Sequence, residues 1–376
     1  MSSKLLTTYP SDDGFVMPGE FEPQDAVWLL IGGKRFHWPN GGYKVREAQV
    51  NIARAILSAG TKVLIGVTDD LYLETEHIFS GLDVSIFEMT LDNCWPRDSG
   101  AITVKNRQSG EVRGVDFRFN GWGGEYSGAM TAWVNDNLVA RKMLQYTHLD
   151  RYKTSFTLEG GSISVDGEGT VITTESCLLN KNRNPEMARA EIEEHLKKYL
   201  GLEKVIWLKR GIDCGKGETD GHVDNLCAFI GPAEVVCCYT EDLANPHREV
   251  LQEAFRTLGE ARDAKGRKLK VHKLTACKPF YFTKEEANNV LVTPGVGKEP
   301  DGKWRKEGDA AVPSYANFLI TNGTIVFPVY GVDSDDEAIS RIKEIVRGRY
   351  RVVPVNAHEI ALGGGSIHCF TQQVSK

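Results

Sequence analysis

The chain has 376 residues, 41% hydrophobic and 26% charged, with a formal net charge of −6. That composition suits a soluble globular protein with room for a large core. It argues against a nucleic-acid or anionic-membrane surface, because no lysine or arginine run exceeds a few residues, and no apolar stretch approaches the roughly 20 residues of a membrane span.

The first residues, Met1 to Gly19, lack the basic start and apolar run of a secretory signal. Ala26–Ile31 reads as a strand, Val45–Ala59 as a helix stopped by Gly60, and Lys62–Val67 and Val84–Met89 as further strands. A weaker helical pattern covers Met130–Leu144. Val171–Thr174 reads as a strand. Pro185–Leu200 reads as a helix with Asn184 as cap, Pro185 in its first turn and Gly201 as stop. Strands follow at Lys204–Leu208, Leu226–Ile230 and Glu234–Tyr239, then a weaker helix at Arg248–Leu258. Beyond it come strands at Leu269–Leu274, Asn289–Val292, Asn317–Thr321 and Thr324–Val329, a helix at Ala338–Arg347, and a strand at Arg351–Val355. A doubly wound sheet would show one strand per helix and an early glycine-rich phosphate turn. The pattern here suits a repeated ββαβ unit, without literal sequence repeats.

Eight cysteines carry no CxxC pair and no zinc-finger spacing. The neighbours Cys237-Cys238 sit in an apolar run and cannot form an ordinary disulfide inside a strand. Reduced, mostly buried thiols and a cytoplasmic location are expected. One thiol stands apart. Cys369 follows Gly363-Gly364-Gly365-Ser366-Ile367-His368 near the chain end. Three glycines in a row have a high backbone entropy and suit a segment that passes very close to something.

Four other segments concentrate reactive side chains: Asn93-Cys94-Trp95-Pro96-Arg97-Asp98-Ser99-Gly100, Leu158-Glu159-Gly160-Gly161-Ser162, Asn180-Lys181-Asn182-Arg183-Asn184-Pro185 and Glu218-Thr219-Asp220-Gly221-His222-Val223-Asp224-Asn225. In a strand His222 and Asp224 would point to one face. Each cluster alone has an ordinary reading: a buried cysteine, a turn, an ion pair. A metal site is disfavoured because no second histidine stands at a ligand spacing. Jointly they pose an electrostatic problem, since anionic neighbours raise a thiol pKa. A guanidinium would resolve it. It stays protonated, its planar fork matches carboxylates, and it lowers the thiol pKa on arrival. The residues point to thiol attack on a guanidinium carbon.

Together these segments resemble the agmatine deiminase family, within the guanidine-modifying pentein superfamily, over almost the full length. Met17-Pro18-Gly19-Glu20-Phe21 is similar to its MPxEW opening and Trp95-Pro96-Arg97-Asp98-Ser99-Gly100 to its WxRDxGP. Asn120-Gly121-Trp122-Gly123-Gly124, the three remaining clusters and Gly364-Gly365-Ser366-Ile367-His368-Cys369 follow in the family order. The chain departs from the pattern at Ser366, where the family usually has Asn, at Ala101, where it has Pro, and over Gly32 to Pro39.

The resemblance implies a five-bladed, pseudo-symmetric α/β propeller of ββαβ units, a single catalytic domain over residues 1–376, and hydrolysis of agmatine to N-carbamoylputrescine and ammonia. Cys369 would be the nucleophile and His222 the general acid and base. Asp98 and Asp224 would clamp the guanidinium, and Glu159 would support His222. Glu218 would meet the substrate's amine tail, and Trp95 would line the channel. No metal or organic cofactor is expected. A homo-oligomer is implied, with a dimer favoured. The alternatives are another pentein activity, on arginine, methylated arginine or peptidyl-arginine, and a non-catalytic guanidine-binding protein.

Overall fold

A computed structural model describes residues 3–32, 38–127, 132–212, 219–290 and 305–376. Five sheets make up the fold. Each is built on the same unit. Two antiparallel strands are followed by a helix, and a third strand returns parallel to the second. In sequence order the complete units are Ile102–Asn106, Val112–Arg118, helix Val139–Tyr146 and Arg151–Thr157; Ile163–Val165, Thr170–Thr174, helix Arg189–Leu200 and Lys204–Leu208; Cys227–Gly231, Glu234–Tyr239, helix Arg248–Glu260 and Lys270–Thr275; Leu319–Thr321, Thr324–Val329, helix Asp335–Val346 and Arg351–Asn356.

The fifth unit is assembled from both ends of the chain. Gln372–Ser375 pairs antiparallel with Gln24–Ile31, with Gln372 opposite Trp28 and Gln373 opposite Val27. Helix Tyr43–Leu57 then leads to Lys62–Val67, parallel to Gln24–Ile31, and Val84–Glu88 adds an outer strand. The last strand therefore closes the ring, and the structure is the five-bladed propeller of ββαβ units that the resemblance implies.

The first strands of the units face the axis, and those of neighbouring units touch. Thr103 and Ser375 share a hydroxyl–hydroxyl bond of 2.8 Å, and Ser164 accepts a 3.2 Å bond from the Phe229 N–H. The helices lie outside and bury one stripe each. Val45, Ala48, Ile52, Ala55 and Ile56 do so on Tyr43–Leu57, the spacing of an amphipathic helix.

Most expected elements are present within a residue or two, and the differences have local causes. The helix expected from Pro185 begins at Arg189. Asn184 is otherwise engaged, because its amide accepts from the Thr157 N–H (2.9 Å) and donates to the Thr157 carbonyl (2.9 Å). The Met130–Leu144 pattern yields a helix only from Val139, and residues 128–131 lie outside the described ones. Asn289–Val292 is not a strand over its described part, where Val290 makes only a single bridge to Pro39. The sequence reading did not delimit the three strands of one blade, Ile102–Asn106, Val112–Arg118 and Arg151–Thr157. These strands carry charged residues, and Gly114 interrupts one of them. That glycine is a packing device, since a Cβ there would stand 2.1 Å from a methyl of Leu144 on the covering helix.

Candidate active site

Each blade presents the turn before its first strand to the axis, and those turns supply the site. Asp98 lies in the short helix Pro96–Ser99 before Ile102–Asn106. Glu159 precedes the turn Gly160–Ser162 and strand Ile163–Val165. Asp224 lies in the turn Val223–Asn225 before Cys227–Gly231. Asn317 precedes Leu319–Thr321, and Cys369 precedes Gln372–Ser375. One side chain comes from each of the five blades.

His222 stands at the start of the Val223–Asn225 turn, so the shared strand face considered for it and Asp224 does not arise. The reorientation has a consequence. Its ring is fully buried, with Nδ1 3.7 Å from Asp98 Oδ1 and Nε2 3.8 Å from Glu159 Oε2. Both separations are too long for hydrogen bonds. They hold the charge and leave both nitrogens without a hydrogen-bond partner among the described residues. Burial alone would strip the ring of its proton, but the charge of Asp98, with the Cys177 and Glu159 contacts, raises its pKa well above the ordinary value.

Asp98 is fixed on both oxygens: Oδ2 accepts from Trp122 Nε1 at 2.9 Å and Oδ1 from the Gly161 N–H at 3.1 Å. Burial pushes its pKa up, with Asp224 and Glu159 adding to the rise, against the pull of His222. Glu159 is also desolvated, but Arg183 and His222 outweigh burial and hold its carboxyl down at about 2. Arg183 donates Nε to Glu159 at 2.7 Å and Nη2 to the Thr219 carbonyl at 3.1 Å.

Cys369 is buried, and its Sγ accepts from Asn317 Nδ2 at 3.1 Å and donates to Asp224 Oδ2 at 3.5 Å. Asn317 Oδ1 also accepts the Cys369 N–H at 3.2 Å. Burial, then Asp224 and Asp98, push the thiol pKa well up. Asp224 has its Oδ1 buried with no partner among the described residues. Burial opposes its ionisation, but His368, with weaker help from His222 and Arg97, keeps its pKa low.

Gly161 explains how these groups approach. A Cβ there would stand 2.6 Å from His222 Nδ1 and 2.9 Å from carboxylate oxygens of both Asp98 and Asp224. The bare Cα therefore forms part of the site wall. At Gly365 a Cβ would meet the Trp95 ring at 2.5 Å and the Cys369 Cβ at 3.1 Å. Trp95 is buried, edge-on to Phe370 with centroids 4.6 Å apart. The glycine-rich turn lets the Cys369 loop lie against that aromatic wall.

The structure thus brings together Asp98, Glu159, His222, Asp224 and Cys369, with Trp95 beside the cysteine loop. Glu218 lies outside the described residues. Ser366 is integrated in place of the family's Asn, and its hydroxyl bonds that of Tyr330 at 2.8 Å. Sequence reasoning gave no role to Asn317, His368, Glu20 or Arg183. The last three stood inside quoted motifs, and that was the available signal. Asn317 stood at the head of an expected strand.

Ligand-type atoms of Glu159, Cys177 and His222 lie within 4.8 Å of one another. The guanidinium bonded to Glu159 and the retained proton on His222 oppose a cation there. The donor set is better read as a charge network.

The profile of the Porphyromonas-type peptidyl-arginine deiminase family matches residues 16–375. A curated Enterococcus faecalis protein, provisionally named agmatine deiminase, is 42% identical over 377 residues, covering 100% of both chains. One of the same provisional name from Shewanella frigidimarina is 44% identical over 369 residues, 98% of this chain and 96% of its own. The solved structure of the E. faecalis agmatine deiminase superposes with a TM-score of 0.91 at 40% identity and full coverage of both chains. This chain belongs to the Porphyromonas-type peptidyl-arginine deiminase family, among its agmatine deiminases.

Proposed function

We propose that this chain hydrolyses agmatine to N-carbamoylputrescine and ammonia through an amidino-cysteine intermediate. The observation that carries the reading is the convergence of His222, Asp98 and Asp224 around the bare Cα of Gly161, with the Cys369 thiol bonded to Asp224. The full-length relatives bearing the agmatine deiminase name support it.

Asp98 and Asp224 clamp the guanidinium, the latter through its free Oδ1. At rest, burial and the carboxylates keep Cys369 a thiol. The arriving cation offsets both and favours the thiolate. The sulfur attacks the guanidinium carbon. His222, held as imidazolium, protonates the departing nitrogen, so that ammonia leaves and an amidino-thioether remains. Neutral His222 then takes a proton from the attacking water. The water oxygen bonds the amidino carbon, and as the C–S bond breaks the hydroxyl of that adduct becomes the carbonyl, its proton passing to the sulfur, and the urea product departs. Glu159 supports His222, Trp95 lines the substrate channel and Glu218 receives the amine tail.

On the same reading residues 1–376 form one catalytic domain, which is supported by the pairing of the last strand with an early one. The protein works in the cytoplasm on a route to putrescine. The free, buried cysteines support a reducing compartment. Assembly is as a homo-oligomer, with a dimer favoured by the resemblance.

One observation favours the alternative of a carboxylate-bearing guanidine such as arginine. Arg305 is buried, with Nη2 3.7 Å from where a Cβ on Gly364 would stand. An ammonia-release assay decides between them. Agmatine is expected to outrun arginine, and Cys369→Ala to abolish turnover. Faster turnover of arginine overturns the substrate, and an active Cys369→Ala overturns the nucleophile.

A further inference from the structure

The residue before the nucleophile has a designed setting that the mechanism above leaves unused. His368 Nδ1 lies 3.0 Å from Asp224 Oδ2, and Nε2 lies 2.8 Å from Glu20 Oε2. Glu20 comes from the opening segment of the chain, almost the whole sequence away. It is itself anchored: Oε1 accepts the Ile320 N–H at 2.8 Å, and Oε2 stands 3.3 Å from Arg97 Nη2. The backbone of His368 is held as well. Arg97 Nε donates to its carbonyl at 3.2 Å, and its N–H donates to the Asn317 carbonyl at 3.1 Å. The ring is therefore clamped at both nitrogens and on both sides of its peptide, deep beside the site.

We propose that His368 is a positioning residue for the reaction: seated between Glu20 and Asp224, it engages one oxygen of Asp224 and so leaves the other free to receive the substrate guanidinium.

The inference rests on the hydrolase reading above and adds a specific cause to it. An unpaired buried carboxylate would rotate toward any available donor, or take up a proton. With Oδ2 occupied by the imidazole, Oδ1 is the oxygen left without a partner. The same Oδ2 lies 3.5 Å from Cys369 Sγ, so the imidazole also places the acceptor of the thiol. The charged groups facing His368 are Glu20, Asp224 and Arg97, with the Cys369 thiol beside them. Burial and Arg97 work against its proton, and Glu20 and Asp224 outweigh them and raise its pKa.

The sign of the effect follows. Glu20→Gln removes one carboxylate that retains the proton, so the ring becomes neutral at a lower pH. The alkaline limb of kcat/KM for agmatine is expected to move to lower pH. His368→Asn keeps a donor that can reach Asp224 but loses the charge and the Glu20 link. His368→Ala loses all of these. The expected order of kcat/KM is wild type, then His368→Asn, then His368→Ala, the last lower by about 10- to 100-fold. Combining Glu20→Gln with His368→Asn should cost no more than His368→Asn alone, because Glu20 acts through the ring.

The assay is run on full-length protein, with thermal melting to correct for the folded fraction. A merely structural role predicts losses that vanish on that correction, an unmoved pH profile and additive variants. That pattern overturns the proposal. Wild-type protein that releases no ammonia from agmatine would instead sink the hydrolase reading beneath it, so the two failures are distinguishable.

Discussion

At the scale of single residues, the site depends on an absent side chain. Gly161 has no need of a positive φ; space is the constraint. Its missing Cβ makes room for His222, Asp98 and Asp224, the first at 2.6 Å and the others at 2.9 Å from where that atom would be. None of these neighbours is a flexible chain end, since Asp98 is bonded to Trp122 and Gly161 itself and Asp224 to His368. Gly161→Ala should therefore displace the reacting groups and lower kcat by about 100-fold, the usual cost of a displacement of about 1 Å. Steady-state kinetics beside a melting curve checks this. Wild-type kcat in a folded Gly161→Ala protein would show that the three groups need not converge. The residues that the structure brings together were legible in the sequence because each has a telling type in a short motif: a thiol after glycines, a His-x-Asp, a Glu-Gly-Gly. Their partners were not. Asn317 meets Cys369 from 52 positions away, and Glu20 meets His368 from 348. Only the fold creates those contacts.

At the scale of elements, the most consequential strand is the last. Gln372–Ser375 pairs with Gln24–Ile31 and completes the blade from which Cys369 projects. It also reaches the neighbouring blade, where Gln372 Nε2 donates to the Ala101 carbonyl at 3.0 Å and the Ser375 N–H to Thr103 at 3.1 Å. A chain ending at Thr371 retains every proposed reactive group. It loses the ladder that holds the nucleophile loop and leaves an unpaired strand face beside the axis. Its melting temperature should fall, and the ammonia release of its remaining folded fraction should drop by at least about 10-fold. Undiminished specific activity would show that the loop is held by the turn alone. Strand and helix were readable where apolar runs or helical spacing were clean, as in Lys62–Val67, Lys204–Leu208, Glu234–Tyr239 and Thr324–Val329, which match to the residue. The last strand was not readable, because Gln372, Gln373 and Ser375 are polar. They are buried only because they lie on the propeller axis beside other polar side chains.

At the scale of the whole molecule, five inward turns concentrate carboxylates and cations in one buried volume, so charge couples stability to pH and to substrate. Glu20, Glu159 and Asp224 have depressed pKa values despite burial, because His368 and Arg97 face the first, Arg183 and His222 the second, and chiefly His368 the third. Their contribution to stability is complete above the ordinary carboxylate range of about 4. It is lost as pH falls through the folded values, near 2 for Glu159. Asp98 has the opposite sign. Burial raises its pKa, so the stability linked to its proton is present in acid and lost as pH rises through the folded value. Above that value the empty site bears the cost of an ionised Asp98, which a bound guanidinium offsets. Agmatine added to Cys369→Ser, which keeps the carboxylates but removes the proposed nucleophile, should raise the melting temperature. At 100 times Kd the stabilisation is about 2.7 kcal/mol, which is roughly 3 °C for a chain of this size. The shift should grow as pH rises through the folded Asp98 value, because the carboxylate that meets the cation is then ionised. Adding Asp98→Asn should raise the melting temperature of the ligand-free protein at pH 7 and remove most of the agmatine shift. Equal shifts with and without Asp98→Asn would mean that the carboxylate is not where the substrate's charge is received.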